Sequence, residues 1–461
     1  MPVPNFYPNF YPKALYIHVP FCAGRCPYCD FYVIVSRDET MHFQFVRRLT
    51  EQLDHYLEQR PDLLSRLETV FLGGGTPSLL GAGALTLLLR ELETRLRQSG
   101  HGGLSQLTEL SMESNPELIH RDSLKLWQEL GIGRLSIGLQ SHNDRLLRFM
   151  GRRSSRRDHE DLGSVLQKYF AGEYSFDFIY GIPGQTLRDI QDSLDFIRHY
   201  QPHHVSYYEL GIEDETLFGK WQNEGRLRKP DSEQSEKQFF LLSDTMDSLG
   251  YRRYEVSNFA RPRPGGTDTP LGETLYSSKH NEMYWRWQPY LGLGPSAVGA
   301  ALLSPIAIPE PGPADQMAVV WRMQGTKGPK GWHNYLKSAD FGVECSLLPP
   351  RESLWEYLLM ALRLRRGIDA LEFVDLFQPQ QSSRGSQSEG PQSKESQNKR
   401  PLQARQQLER RLQTMLPQTM QSYANFFSWK TEAETVYLRL DEHSFDLQGA
   451  FLRAAYRELE L

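Results

Sequence analysis

Between residue 14 and about residue 257, short apolar, β-branched runs alternate with segments whose apolar residues recur at i, i+3 and i+4. Alternation of this kind predicts repeated βα units and a parallel sheet, because each parallel strand needs a crossover and a helix usually supplies it. At least six strands are predicted, at Leu15 to Val19, Thr69 to Leu72, Thr108 to Met112, Arg134 to Leu139, Tyr174 to Ile179 and His204 to Glu209. Arg252 to Val256 is a further candidate. Intervening stretches such as SLKLWQEL and TLRDIQDSLDFIRHY carry the helical period.

Past residue 257 the pattern loosens. RPRPGGTDTPLGE and IAIPEPGPAD are rich in proline and glycine and read as loops. Residues 378–403, QPQQSSRGSQSEGPQSKESQNKRPLQ, are nearly devoid of apolar side chains, cannot repay their ordering entropy, and read as a disordered insertion. ESLWEYLLMALRLRR reads as a helix, and TVYLRLDEHSFDLQGAFLRAAYREL as strand, turn and amphipathic helix. The expectation is an α/β core over residues 1–300 and a small C-terminal α+β, winged-helix-like domain over 301–461 that contains the insertion.

Composition narrows the function classes. With 52 basic and 57 acidic side chains the net charge is −5, which gives no general reason to bind nucleic acid or a membrane surface. No run of 18 apolar residues occurs, and MPVPNFYPNFYPK lacks the charged and apolar regions of a secretory signal, so a cytoplasmic location is expected. Four cysteines in 461 residues are no disulfide framework, and Cys345 stands alone.

Cys22, Cys26 and Cys29 are crowded into YIHVPFCAGRCPYCDFY with C-x3-C-x2-C spacing, just after the first strand. A tetrahedral zinc site would want a fourth ligand, and His18 lies inside the strand. A [4Fe-4S] cluster held by three thiolates leaves one iron open to a substrate or cofactor. Chance clustering is the third reading. Position favours a site: in parallel βα barrels the loops at the strands' C-terminal ends build the active centre. There stand GGGTPS after the second strand, Glu113 after the third, Gln140 after the fourth, Asp177 in the fifth and YYELGIE after the sixth. Each alone reads as an ordinary cap or loop residue.

Together CAGRCPYC and GGGTP resemble the radical S-adenosylmethionine (SAM) superfamily, and YIHVPFC, GGGTPSLL, SIGLQS, DFIYGIPGQT, ETLFG and HNEMYW resemble its anaerobic coproporphyrinogen III oxidase family, which includes the heme chaperone HemW branch. The resemblance implies a partial (βα)6 radical SAM barrel. It implies that Cys22, Cys26 and Cys29 ligate a [4Fe-4S] cluster whose fourth iron is chelated by SAM. It places Tyr16 and Tyr28 beside cluster and cofactor, Gly74, Gly75, Thr76 and Glu113 around the methionyl amine, and Gln140, Arg152 and Asp177 around carboxylate and ribose. Gly211 would contribute a backbone contact to adenine. By spacing alone Arg152 reads as a solvated arginine among Arg153, Arg156 and Arg157. The chemistry implied is reductive cleavage of SAM to methionine and a 5′-deoxyadenosyl radical that abstracts hydrogen.

Two details divide the family. The oxidase pattern continues as C-x3-C-x2-C-x-C, whereas Phe31 follows Cys29 and Asp30 here. The chaperone branch has phenylalanine there and carries H-N-x-x-Y-W, present as His280 to Trp285. His280 could give an imidazole to heme iron, with Tyr284 and Trp285 as apolar surface for the macrocycle, although a lone histidine is more often structural. The reading is a heme chaperone that receives heme and passes it to a hemoprotein acceptor, a membrane-bound respiratory oxidase for example; the alternative is radical decarboxylation of coproporphyrinogen III. A dimer is allowed, and no motif names the electron donor.

Overall fold

Six of the apolar runs form the parallel strands β1 (Ala14–Val19), β2 (Thr69–Gly74), β3 (Glu109–Ser114), β4 (Arg134–Gln140), β5 (Glu173–Tyr180) and β6 (His204–Glu209). This computed structural model describes residues 10–265, 275–302, 320–326, 330–376, 394–432, 435–440, 451–452 and 454–456. The strands are hydrogen-bonded in sequence order, with Ala14 opposite Thr69 and Thr69 opposite Glu109. Leu15, Ile17 and Val19 are fully buried, as is Leu72. Helices packed on the sheet complete that burial; Glu39–Gln59, for example, adds Phe45, Val46, Leu49 and Leu53 to the core the strands share. Their starts are pinned locally. Ser155 with Asp158 and Thr186 with Asp189 form reciprocal capping boxes that satisfy the first free N–H groups.

The parallel sheet gains a strand that the periodicity does not announce. Tyr290–Leu293 lies parallel to β1 on the side away from β2, and Val298–Leu302, Val320–Gly325 and Val343–Leu348 continue from it as an antiparallel extension. The run YLGL is too short to show a period. This extension carries the first core past residue 300, since Met323, Tyr335 and Phe341 belong to it. At the other edge the expected strand over Arg252 to Val256 is corrected: only Arg252–Arg253 is strand, and it pairs antiparallel with Asn258–Ala260, which is antiparallel to β6. A few residues of turn cannot make a parallel crossover.

The C-terminal unit has its own core, in which Leu354, Tyr357, Phe373, Leu408 and Leu412 are buried beneath a three-stranded antiparallel sheet of Ile368–Asp369, Thr435–Leu440 and Phe427–Glu432. Helices Pro350–Ala361, Ala370–Leu376 and Lys394–Met415 complete it. Of the expected insertion, residues 378–393 lie outside the described residues; 394–403, read from composition as disordered, are the first turns of the helix Lys394–Met415. Most of the glycine- and proline-rich loop near 263–276 also lies outside them.

Candidate functional site

The strand ends surround a cavity of about 900 Å³ that runs from the cysteine loop to the helix Lys279–Trp285. Cys22, Cys26 and Cys29 all line it, on a loop turned by the Cys29 N–H donating to the Cys26 carbonyl at 3.2 Å. Cys22 Sγ lies 3.5 Å from Thr76 Oγ1, and Arg152 Nη1 lies 3.9 Å from Cys26 Sγ. Burial raises the Cys22 thiol pKa; burial, then Cys26 and Cys22 beside it, pushes Cys29 up to about 11. Thiols so placed resist ionisation unless a cationic centre compensates, which suits a cluster. No group of three His, Cys, Asp or Glu side chains among the described residues is arranged around a single ion. A cluster asks for no such convergence, since each thiolate takes its own iron. Three thiols with no fourth His, Cys, Asp or Glu grouped with them among the described residues fit a [4Fe-4S] cluster that leaves one iron open.

The loop after β2 packs against the cysteine loop. Gly74 has φ +104°, and a Cβ on Gly75 would meet the Phe21 carbonyl at 2.6 Å, so neither position tolerates a side chain. Gly75 and Thr76 donate their N–H groups to Val19 and Phe21 carbonyls at 2.8 and 2.7 Å, and Gly74 N–H donates to Glu113 at 3.0 Å. With these donors engaged and the Thr76 carbonyl accepting the Leu79 N–H at 2.9 Å, the group left for an amine is the Glu113 carboxylate. Burial, and then the charge of Asp177, push Glu113 up to about 8 against the relief of the Gly74 bond.

Arg152 is not the solvated arginine that its neighbours in sequence suggest. Its Nη2 donates to Asn115 Oδ1 and the Gly138 carbonyl, both at 2.7 Å, while its buried Nε has no partner. Burial opposes its charge, yet Tyr28 and Cys26 raise its pKa, so it stays a cation facing the cavity. A guanidinium with an unused buried N–H, beside a cleft, is equipped to take a carboxylate. Gln140 has φ +68° at a bulge between Gly138 and Gln140, which turns it into the cavity. Asp177 accepts from Ser136 Oγ at 2.6 Å and Ser175 Oγ at 2.9 Å, and burial raises its pKa despite them.

Tyr16 and Tyr28 both line the cavity. The Tyr16 hydroxyl is 3.0 Å from His18 Nδ1, whose Nε2 is 2.9 Å from the Tyr32 carbonyl. Gly211, in contrast, is exposed beyond β6 and does not line the cavity. His280 lies at the far end, fully buried, with Nδ1 2.9 Å from Thr69 Oγ1 and Nε2 2.6 Å from the Tyr284 hydroxyl. Burial pushes it down to about 3, so it is neutral. As a heme ligand it would first have to exchange the Tyr284 hydroxyl for iron.

Several cavity residues escape the sequence reading because they are polar positions inside strands. Arg134 on β4 pairs with Glu173 at 3.0 Å and lies 3.9 Å from Glu109. Glu109 also accepts the Lys279 and His280 N–H groups at 2.9 and 3.2 Å, capping the helix that carries His280. His204 is held by Ser175 and Tyr254 at 2.8 and 2.9 Å. The available signal was the strand's alternation of two, which turns Arg134, Ser136 and Gly138 to one face.

The radical SAM superfamily profile matches residues 16–197. The chain is 31% identical over 361 residues to the heme chaperone HemW of Synechocystis sp., covering 77% of this chain and 79% of the relative. It is 32% identical over 368 residues to the mitochondrial radical S-adenosyl methionine domain-containing protein 1 of Danio rerio, covering 80% and 76%. In structure it resembles coproporphyrinogen III oxidase (HemN) from Escherichia coli, with TM-score 0.69 and 17% identity over 98% of this chain and 91% of that one, a likeness of fold.

Proposed function

Because the chain belongs to the HemW heme-chaperone family of the radical SAM superfamily, we propose that it binds heme and passes it to a hemoprotein, using a [4Fe-4S] cluster and SAM as resident cofactors. The observation that carries this is the identity with the Synechocystis chaperone across 77% of the chain, far beyond the SAM-binding segment. Phe31 supports it. It stands 55% exposed at the cavity mouth where the oxidase pattern would place a further cysteine.

In this reading Cys22, Cys26 and Cys29 hold the cluster, and Gly74, Gly75, Thr76, Glu113, Gln140, Arg152 and Asp177 hold SAM, with Tyr16 and Tyr28 as walls. Cluster and SAM together supply one-electron chemistry when bound. The residues of this chain orient the cofactor: Arg152 presents an N–H to its carboxylate, Glu113 accepts from its amine, and the buried walls keep water away. Heme is cargo in the same cavity, near Tyr284 and Trp285, with His280 as the iron ligand once Tyr284 swings aside. The proposed setting is the cytoplasm with a membrane-bound acceptor; no helix among the described residues is long and apolar enough to cross a membrane.

The test is a pair of assays. Heme titration should give a saturable complex, and anaerobic incubation with coproporphyrinogen III, SAM and a reductant should give no protoporphyrinogen IX. Robust turnover in the second assay would overturn the chaperone reading.

A further inference from the structure

The cavity wall includes one arginine from the C-terminal unit. Arg363 follows the helix Pro350–Ala361, where Arg365 N–H donates to the Tyr254 carbonyl at 2.9 Å and Leu364 bridges to Glu255. This contact sets the guanidinium against the cavity, 4.4 Å from the Trp285 ring centroid. Of the four other cavity arginines, Arg134 is held by Glu173, Arg152 by Asn115 and the Gly138 carbonyl, and Arg153 by the Ala23 carbonyl, while Arg25 is exposed on the cysteine loop. Arg363 is held loosely. Its contact with Glu255 is 3.4 Å, and its Nε is buried with no partner. Glu255 meanwhile accepts the Ser257 N–H at 2.8 Å, so it does not depend on Arg363 alone.

A second unpaired group stands on the same cavity. Trp285 is beside Arg363, and its indole Nε1–H is buried without a partner. Buried polar groups are normally satisfied, and two neighbouring N–H donors without partners on one cavity indicate a ligand that accepts from them. The chemistry is specific. A guanidinium with an unpaired N–H matches a carboxylate, and a flat indole beneath it matches a planar ring. The location is distinct from the SAM end. Thr69, which bonds His280, is five residues below Gly74 on β2, about 17 Å at about 3.3 Å per residue.

Resting on the heme-chaperone reading, we propose that Arg363 is the residue that recognises a carboxylate of the cargo, gripping a heme propionate while the macrocycle lies toward Trp285 and Tyr284. The C-terminal unit thereby supplies the charge that selects the cargo, and the barrel supplies the apolar surface.

The experiment compares heme with heme dimethyl ester, which keeps the ring and iron and removes both carboxylates, by absorbance titration of the full-length protein. Wild type should bind heme about tenfold to hundredfold more tightly than the ester, the range of a charge-assisted hydrogen bond. Arg363→Lys retains a cation for Glu255 but not the fork, and should lose most of that preference through weaker heme binding, with ester binding unchanged. Glu255→Gln removes the competing carboxylate, and should strengthen the preference, so the proposal survives a poorly folding arginine variant. Equal binding of heme and ester by wild type, or the same ratio in wild type and both variants, overturns the assignment of Arg363 and leaves the chaperone reading intact. Failure of wild type to bind either overturns both.

Discussion

Glu113 offers the sharpest measurable consequence of the site's electrostatics. It is a carboxylate whose burial, with Asp177 nearby, raises its pKa from 4.5 to about 8. The folded chain therefore holds this proton more tightly than the unfolded chain does. Stability from this group is complete below about pH 4.5 and falls as pH rises toward about 8. At about 1.4 kcal/mol per pH unit the whole loss is about 5 kcal/mol, an upper value comparable to the total stability of many domains. Glu113→Gln keeps an oxygen for the Gly74 N–H and cannot ionise. Denaturant unfolding of apoprotein between pH 5 and 8.5 should show the variant gaining on wild type by about 1 kcal/mol per pH unit through the middle of that range. His142, His159 and His280, pushed down to about 4, 3 and 3 by burial, act oppositely and make both proteins more stable up to about pH 6.5. Their effect cancels in the difference. A difference that stays constant across the range would refute the reasoning.

Other outcomes follow from the same geometry. Reconstituted anaerobically, the protein should hold about four irons and four sulfides, and Cys22→Ala, Cys26→Ala or Cys29→Ala should each lower iron content by elemental analysis. Arg152→Met should weaken SAM binding in calorimetry by tenfold or more, because it removes the free N–H and also strands Asn115 Oδ1. Tyr284→Phe should release His280 Nε2 and tighten heme binding, whereas His280→Ala should abolish the iron-linked spectral shift. In the absence of heme, His280→Ala should also lower stability by about 1–3 kcal/mol in thermal melts, since Thr69 and Tyr284 lose their partner.

The parts of the molecule legible in the sequence are those whose cause is local. β1 to β6 follow from short apolar, β-branched runs set between helical segments, and the cysteine and glycine loops declare themselves by spacing. Arg152 was misread by spacing because its partners, Asn115 and the Gly138 carbonyl, are supplied by other strands. Arg363 carries no local signal at all, since its place on the cavity depends on the distant pairing of Leu364 with Glu255. The strand Tyr290–Leu293 is similar: four residues gain their identity from β1, not from their own pattern. Composition failed at Lys394–Met415, where a polar stretch that looks unable to order itself begins a helix.

Glu109 adds a consequence in time. The helix bearing His280, Tyr284 and Trp285 takes its first hydrogen bonds from a carboxylate 171 positions earlier in the chain. Thr69, 211 positions before His280, holds the ring. By contrast, the Cys22 and Thr76 contact spans 54 positions. Closing the longer loops costs more chain entropy and comes later on average. The contact that joins the cysteine and glycine loops is therefore expected to form before the helix Lys279–Trp285 is pinned, an order that pulse-labelled hydrogen exchange would read.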